Sequence, residues 1–436
     1  MLKAGFARLD VTPPLGSYLS GYPNVRLAEF IHDPLYVNTV VFSDGDKTVA
    51  AISLDEVGLR IPKSEYYRKL AAERNHLDFD AVMIACTHIH TGPAIEDGSF
   101  PDDLEYNETL GKRIADSVTL AIQDMQPAKL RYGKAKAENI AFIRRFRMKD
   151  GSAATNPGRH NPNIDHPIGE PDEDVQVIRI ERENAKDILM VNFQVHPDVV
   201  GIRGFSADWP GVARDTVEAA LGDVHCILFN GAEGDTNHVD VNCPEWDSNG
   251  GIAQATHMGH KIAGAVLSVC DKCAPTDGEK VDFAKTYIDV ELNVPKPEDI
   301  PWAERAIKLY NEGRINEISD EPMGGAIAYY SALRMLALKD SAPTMKMCIN
   351  ALRFGDFAIT GAPGEPFTDV GTNTKARSPF AMTFYCCLWN GCESYYPNAA
   401  AFAEGGYEAK TSRFNAGIAE AITEGNVEVL NKLIKQ

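Results

Sequence analysis

Basic charge is scarce in this chain of 436 residues: 43 Lys and Arg stand against 62 Asp and Glu, for a net charge of −19 at pH 7. A nucleic acid or an anionic membrane would need a basic face, so neither is expected as a partner. Long apolar runs are missing too. The longest uncharged stretch, Ser378 to Cys392, is too short and too polar to span a bilayer, which takes about 18 or more apolar residues. The first ten residues, MLKAGFARLD, have no apolar stretch between their charges, so no secretory leader is expected. Low-complexity segments and long linkers are absent. Cysteine is present but unpatterned: nine is an odd count, Cys386 and Cys387 adjoin in an apolar segment, and Cys270/Cys273 form a lone CxxC. That suits reduced core thiols rather than a disulfide framework, and the expected compartment is the cytoplasm.

What is there is core material. Hydrophobic residues make up 44% of the chain, enough for one large domain or two or three ordinary ones. The expectation is a single domain over 1–436, an α/β fold with a mixed central sheet flanked by helices, with a helical insertion at about 298–342. Leu110, Ile114, Val118, Ala121, Ile122 and Met125 form one stripe at helical spacing that ends before Pro127. Further helices are read near 259–270 and 416–436. The stretch from Lys149 to Pro171, rich in Gly, Asn and Pro, reads as a long loop of the kind that carries function.

Three stretches share one plan of hairpin, helix and strand. The first turns at Asp44-Gly45, reaches Asp55, passes a helix near Pro62 and ends in Thr87-His88-Ile89-His90. The second runs from Val175 to Val195, reaches His196, passes a helix near Pro210 and leads to Gly234-Asp235. The third turns at Gly355-Asp356, reaches Gly364-Glu365, passes a helix from Pro366 and leads to Tyr395. Ligands of open α/β sheets bind beyond the carboxyl ends of strands. Two His, one Glu and one Tyr arriving there make a nitrogen-and-oxygen cage suited to zinc, with manganese or iron as the other ions such donors take. In an extended segment His88 and His90, two apart, face the same way. Each piece alone also has a plain structural reading: a core histidine, a helix-dipole acid at Glu365, a strand-end tyrosine.

Taken in order, the segments resemble the catalytic domain of the neutral (non-lysosomal) ceramidases. The resemblance runs through Ala4 to Pro14, Ile31 to Tyr36, Cys86-Thr-His-Ile-His-Thr-Gly-Pro93, His196, Ser206-Ala-Asp-Trp-Pro-Gly211, Asn230-Gly-Ala-Glu-Gly-Asp235, Pro363-Gly-Glu365 and Gly406-Tyr407-Glu408. It implies one zinc held by His88, His196, Glu365 and Tyr395, with His90 serving the attacking water. It also implies that Arg144 and Tyr407 stabilise the oxyanion; the plain structural reading of Arg144, in Phe142-Ile-Arg-Arg-Phe-Arg147, is one of three arginines on a surface strand. Two departures stand out: Asn237 occupies the place of the family's serine, and Ala94-Ile-Glu-Asp-Gly-Ser99 replaces a glycine-rich segment. The family's leader and C-terminal immunoglobulin-like domain have no expected counterpart.

The expectation is a zinc-dependent hydrolase that opens an amide, or an ester or lactone, at a carbonyl on a small polar molecule. A phosphoester hydrolase would need a cluster of Asp and Glu for two metals. A structural zinc would be cysteine-rich and closed. A non-catalytic binding protein on the same scaffold is the remaining alternative.

Overall fold

The computed structural model describes residues 1–95, 103–318 and 323–436. All three hairpin–helix–strand units are present. Unit one is β1 (Tyr36–Ser43), β2 (Thr48–Leu54), α1 (Ile61–Asn75) and β3 (Val82–Cys86). Unit two is β4 (Asp174–Arg182), β5 (Asp187–Phe193), α2 (Asp208–Leu221) and β6 (Val224–Asn230). Unit three is β7 (Thr344–Phe354), β8 (Phe357–Gly361), α3 (Thr368–Arg377) and β9 (Met382–Cys386). In each unit the hairpin is antiparallel and the last strand pairs in parallel with the hairpin's second strand. The second and last strands therefore end on one side, and the intervening helix supplies the crossover that parallel pairing requires.

Units one and two share a nine-stranded sheet in the order β6-β5-β4, Gln126–Lys136, Lys3–Asp10, β1-β2-β3, with Ala274–Thr276 paired to Gln126–Lys136. Unit three lies in a second, four-stranded sheet, Val281–Glu291 followed by β7-β8-β9. The sheet is mixed and flanked by helices as expected, but one of its faces is covered by this second sheet rather than by helices. Period-two alternation records the layering. Val37, Val41, Ile52 and Leu54 face α1 and the helix Leu104–Gln123, while Val40, Phe42, Val49 and Ala51 face the other sheet. Leu189, Val191 and Phe193 pack toward α2 and Gly251–Val269, while Ile188 and Met190 meet Leu352, Phe354, Phe357 and Ile359 across the sheets. The helix Ile418–Lys435 closes the outer face of the second sheet.

The stretch 298–342 carries helices Ile300–Asn311 and Gly324–Leu338, with Tyr310 stacked on Tyr329. The 149–171 segment is less irregular than expected: Ala153–Thr155 and Ile164–Pro167 pair with Arg145–Met148 as a small sheet. The nine cysteines are all free. Among the described residues, no helix is long and apolar enough to cross a membrane.

Candidate metal centre

The carboxyl ends of the three units meet, and Asn230 stitches them together. Its side-chain amide donates to the carbonyls of Thr87 (3.1 Å) and Val195 (3.4 Å), and its own carbonyl accepts from the Cys387 amide at 3.1 Å. Around it stand His88 and His90 after β3, His196 after β5, Glu233 after β6, and Glu365, whose backbone bridges in parallel to Tyr395.

His88 is not held by an extended strand. β3 stops at Cys86, and His88 has a φ of +73°, in the left-handed region that a branched or bulky residue enters at a cost. Its amide donates to the Glu56 carbonyl and that of His90 to the Pro197 carbonyl, so loop hydrogen bonds fix the pair. The expected convergence of the two rings is present, for a different reason from strand alternation: their Nε2 atoms lie 3.4 Å apart. The His90 ring leaves no room beside it. A Cβ on Gly21, itself at φ +96°, would lie 2.5 Å from His90 Cγ.

The imidazoles of His88 and His196 are anchored alike, each through Nδ1. His88 Nδ1 lies 2.6 Å from the Val57 carbonyl and His196 Nδ1 3.5 Å from the Glu233 carbonyl, so each ring donates through Nδ1 and leaves Nε2 as the free donor atom. The two Nε2 atoms are 3.0 Å apart and lie 3.4 and 3.6 Å from Glu365 Oε2. Ligand atoms about 2.0–2.1 Å from a tetrahedral ion are separated by about 3.3 Å, so the spacing fits a zinc-sized ion. The hydrogen bonding agrees. Glu365 Oε2, Glu233 Oε1 and His90 Nδ1 are buried without a hydrogen-bond partner, which native interiors rarely tolerate unless an unseen group completes them.

Charge is arranged accordingly. Burial would raise the Glu365 carboxyl, but the charge of His88, with His196 and Arg144, outweighs it and holds the pKa down at about 2. Burial, with Glu365 beside it, pushes Glu233 up to about 8. Burial works against a charge on His88, and Glu233 and Glu365 more than offset it, so its pKa is raised. Burial, then the neighbouring His88, pushes His90 down to about 3, so it stays neutral at ordinary pH.

A second group borders the cluster. Arg144 is buried, not on a surface strand, and its Nε donates to Glu408 Oε1 at 2.8 Å and Nη2 to the Gly234 carbonyl at 2.7 Å. Its guanidinium carbon lies 5.2 Å from the centre of the Tyr395 ring, which packs edge-on against Tyr407 at 5.6 Å. Burial raises the pKa of both phenols, so both stay protonated. Asn237 is turned elsewhere: its amide donates to Asn156 Oδ1 at 2.8 Å and its Oδ1 accepts from the Val239 amide. Asp55 and Asp235, the acids at the strand ends of units one and two, are engaged. Asp55 pairs with Arg214, and Asp235 accepts from the amide and hydroxyl of Thr368. Residues 96–99 of the altered segment lie outside the described residues.

Glu233 and Glu408 have no role predicted from the sequence, although they lie in the segments Asn230–Asp235 and Gly406–Glu408. Extending the strand-end rule from β5 to β6 finds Glu233; Glu408 shows itself only through the burial of Arg144.

A buried cluster of imidazole and carboxylate donors at the strand ends of a two-sheet α/β scaffold defines a candidate metal centre. The scaffold itself is that of neutral ceramidase. The structure of neutral ceramidase from Pseudomonas aeruginosa superposes with a TM-score of 0.76 at 15% identity, covering 98% of this chain and 74% of that one. That of a ceramidase complexed with C2 gives 0.74 at 14% identity, with the same coverage. No family model and no curated protein sequence matches the chain.

Proposed function

We propose that the chain is a metal-dependent hydrolase that cleaves an amide C–N bond at a carbonyl, on a small polar substrate rather than a long-chain ceramide. One observation carries the reading: His88, His196 and Glu365 bring their donor atoms together at tetrahedral spacing, with Glu365 Oε2 unpartnered, beside a buried arginine and two protonated tyrosines. Fold likeness to proteins named ceramidases supports the same chemistry by analogy.

In this proposal His88, His196 and Glu365 hold the ion, with Tyr395 at the edge of the shell. Zinc is preferred on ligand type, and manganese or iron(II) fits the same donors. When bound, such an ion supplies a Lewis acid for the carbonyl and a water acidified toward neutrality. His90, with Nδ1 buried and unpartnered, positions or deprotonates that water. Arg144, held in place by Glu408, and the Tyr407 hydroxyl donate to the oxygen that gains charge as the carbonyl becomes tetrahedral. Asn237, with Asn156, belongs to the surrounding wall rather than to the reacting group. A carboxamide where the ceramidases carry a hydroxyl changes both size and donor geometry, which supports a different substrate head.

The test is a panel of short water-soluble amides, esters and lactones alongside a long-chain ceramide, assayed with zinc and with the metal removed. Metal-dependent turnover of a short amide, well above that of ceramide, is expected. Equal turnover of the two overturns the substrate assignment. Turnover of esters or lactones alone moves the assignment to C–O bonds. Metal binding with no turnover in the whole panel favours a binding protein.

A further inference from the structure

We propose that Glu233 is an inner-shell ligand of the same ion, the fourth protein donor beside His88, His196 and Glu365, and that its carboxylate narrows the preference for zinc over manganese. The assignment rests on the reading that the cluster holds an ion. One oxygen of Glu233, one of Glu365 and a ring nitrogen from each of His88 and His196 all lie within 4.8 Å of one another, and all four side chains are buried.

The backbone forces Glu233 into this company. The Gly234 amide donates to the Pro366 carbonyl at 2.8 Å, which presses the 233–235 turn onto the strand that carries Glu365. A Cβ at 234 would sit 2.4 Å from the Glu365 carbonyl oxygen, so only glycine allows the approach. The Glu233 carbonyl accepts from the Thr236 amide and hydroxyl and faces His196 Nδ1, so one residue both orients a histidine and offers a carboxylate. Asn230 donates to Oε2, leaving Oε1 buried and unpartnered.

A structural role does not account for that arrangement. A fully buried carboxylate with one oxygen left unpartnered is costly, and a neutral glutamine of the same shape would serve the fold better. Charge balance supplies the missing reason. Arg144 is matched by Glu408, and Asp198 is paired with His238, so Glu365 alone faces the charge of a buried dication. A second carboxylate neutralises it. Carboxylate oxygens suit manganese better than imidazoles do, so Glu233 contributes relatively more to manganese than to zinc.

Calorimetric titration of metal-free wild type and Glu233→Gln with Zn²⁺ and with Mn²⁺ tests this. Glutamine keeps an oxygen for Asn230 and removes only the charge. The expected result is a loss of at least roughly tenfold in Zn²⁺ affinity, given that even outer partners are worth about 10–100-fold, and a larger loss for Mn²⁺. The metal-free variant should melt at or above the wild-type temperature. Wild-type affinity for both ions in the variant overturns the assignment while leaving the metal centre intact. Wild type that binds neither ion overturns it together with the functional reading. A structure of Mn²⁺-loaded wild type decides independently of the variant's folding. A Glu233 oxygen within roughly 2.3 Å of the ion supports the assignment, and one beyond roughly 3 Å overturns it.

Discussion

Asp55 stands just past the second strand of unit one, and Glu365 just past the second strand of unit three; both are buried acids. Asp55 is saturated. Arg214 reaches both of its oxygens at 2.7 Å, the Tyr36 amide donates to it at 3.0 Å, and Thr87 adds a weaker bond at 3.3 Å. Glu365 Oε2 accepts no well-formed hydrogen bond and faces two imidazole nitrogens instead. The same topological place has been used once to lock a unit to its neighbour and once to leave valence open. What separates the structural acid from the proposed ligand here is satisfaction rather than position or burial.

The sharpest way to break this contrast is to remove the acids in turn. Asp55→Ala strands a buried guanidinium and should cost about 3–5 kcal/mol of folding stability, while metal affinity per folded molecule stays near wild type. Glu365→Gln should do the reverse, leaving the metal-free protein as stable as wild type or more so and abolishing tight metal binding. Denaturant melts of the two metal-free variants, with a metal titration of each, check both halves. Equal destabilisation by the two would erase the distinction.

The next contrast lies within the HxH pair. His90→Ala should keep its metal and lose on the order of a hundredfold or more in turnover, whereas His88→Ala should lose metal and turnover together. His88, His90 and His196 also cluster closely enough to share an ion. Equal metal loss in the two variants would place His90 in the shell and end the division of labour.

The smallest expected effect concerns pH. The pair His238–Asp198, joined at 3.1 Å, lies beside His90 and His196 in the second unit's loops. Burial opposes a charge on His238, and the hydrogen bond and charge of Asp198 outweigh it, so the pKa is raised. A histidine raised on folding gives stability that is complete below its unfolded value of about 6.5 and is lost as pH climbs through the folded value. His238→Gln should therefore melt a few degrees below wild type at about pH 6, with the gap closing toward pH 9. A gap that widens with pH would contradict the pairing.

Much of this was legible in the sequence because hairpin turns, proline at helix starts and apolar strands are local signals. Asp44-Gly45, Pro62 and the run from Val224 to Asn230 mark their elements without tertiary help. The second sheet was not legible, since β7 and β8 carry the same two-faced apolar pattern whether a helix or another sheet covers them. The left-handed φ of His88 had no signal either, because nothing in Thr-His-Ile-His distinguishes it from a strand. Arg144 reads as one of three arginines on a surface strand until Glu408, distant in sequence, is brought beneath it.

The most direct test of the central claim is metal content. Purified wild type and His196→Ala, each stripped and then reloaded with zinc, are compared by elemental analysis and calorimetric titration. One tightly bound ion per wild-type chain and loss of that ion in the variant are predicted. Stoichiometric metal held by His196→Ala with unaltered affinity would remove His196 from the shell and contradict the centre described here.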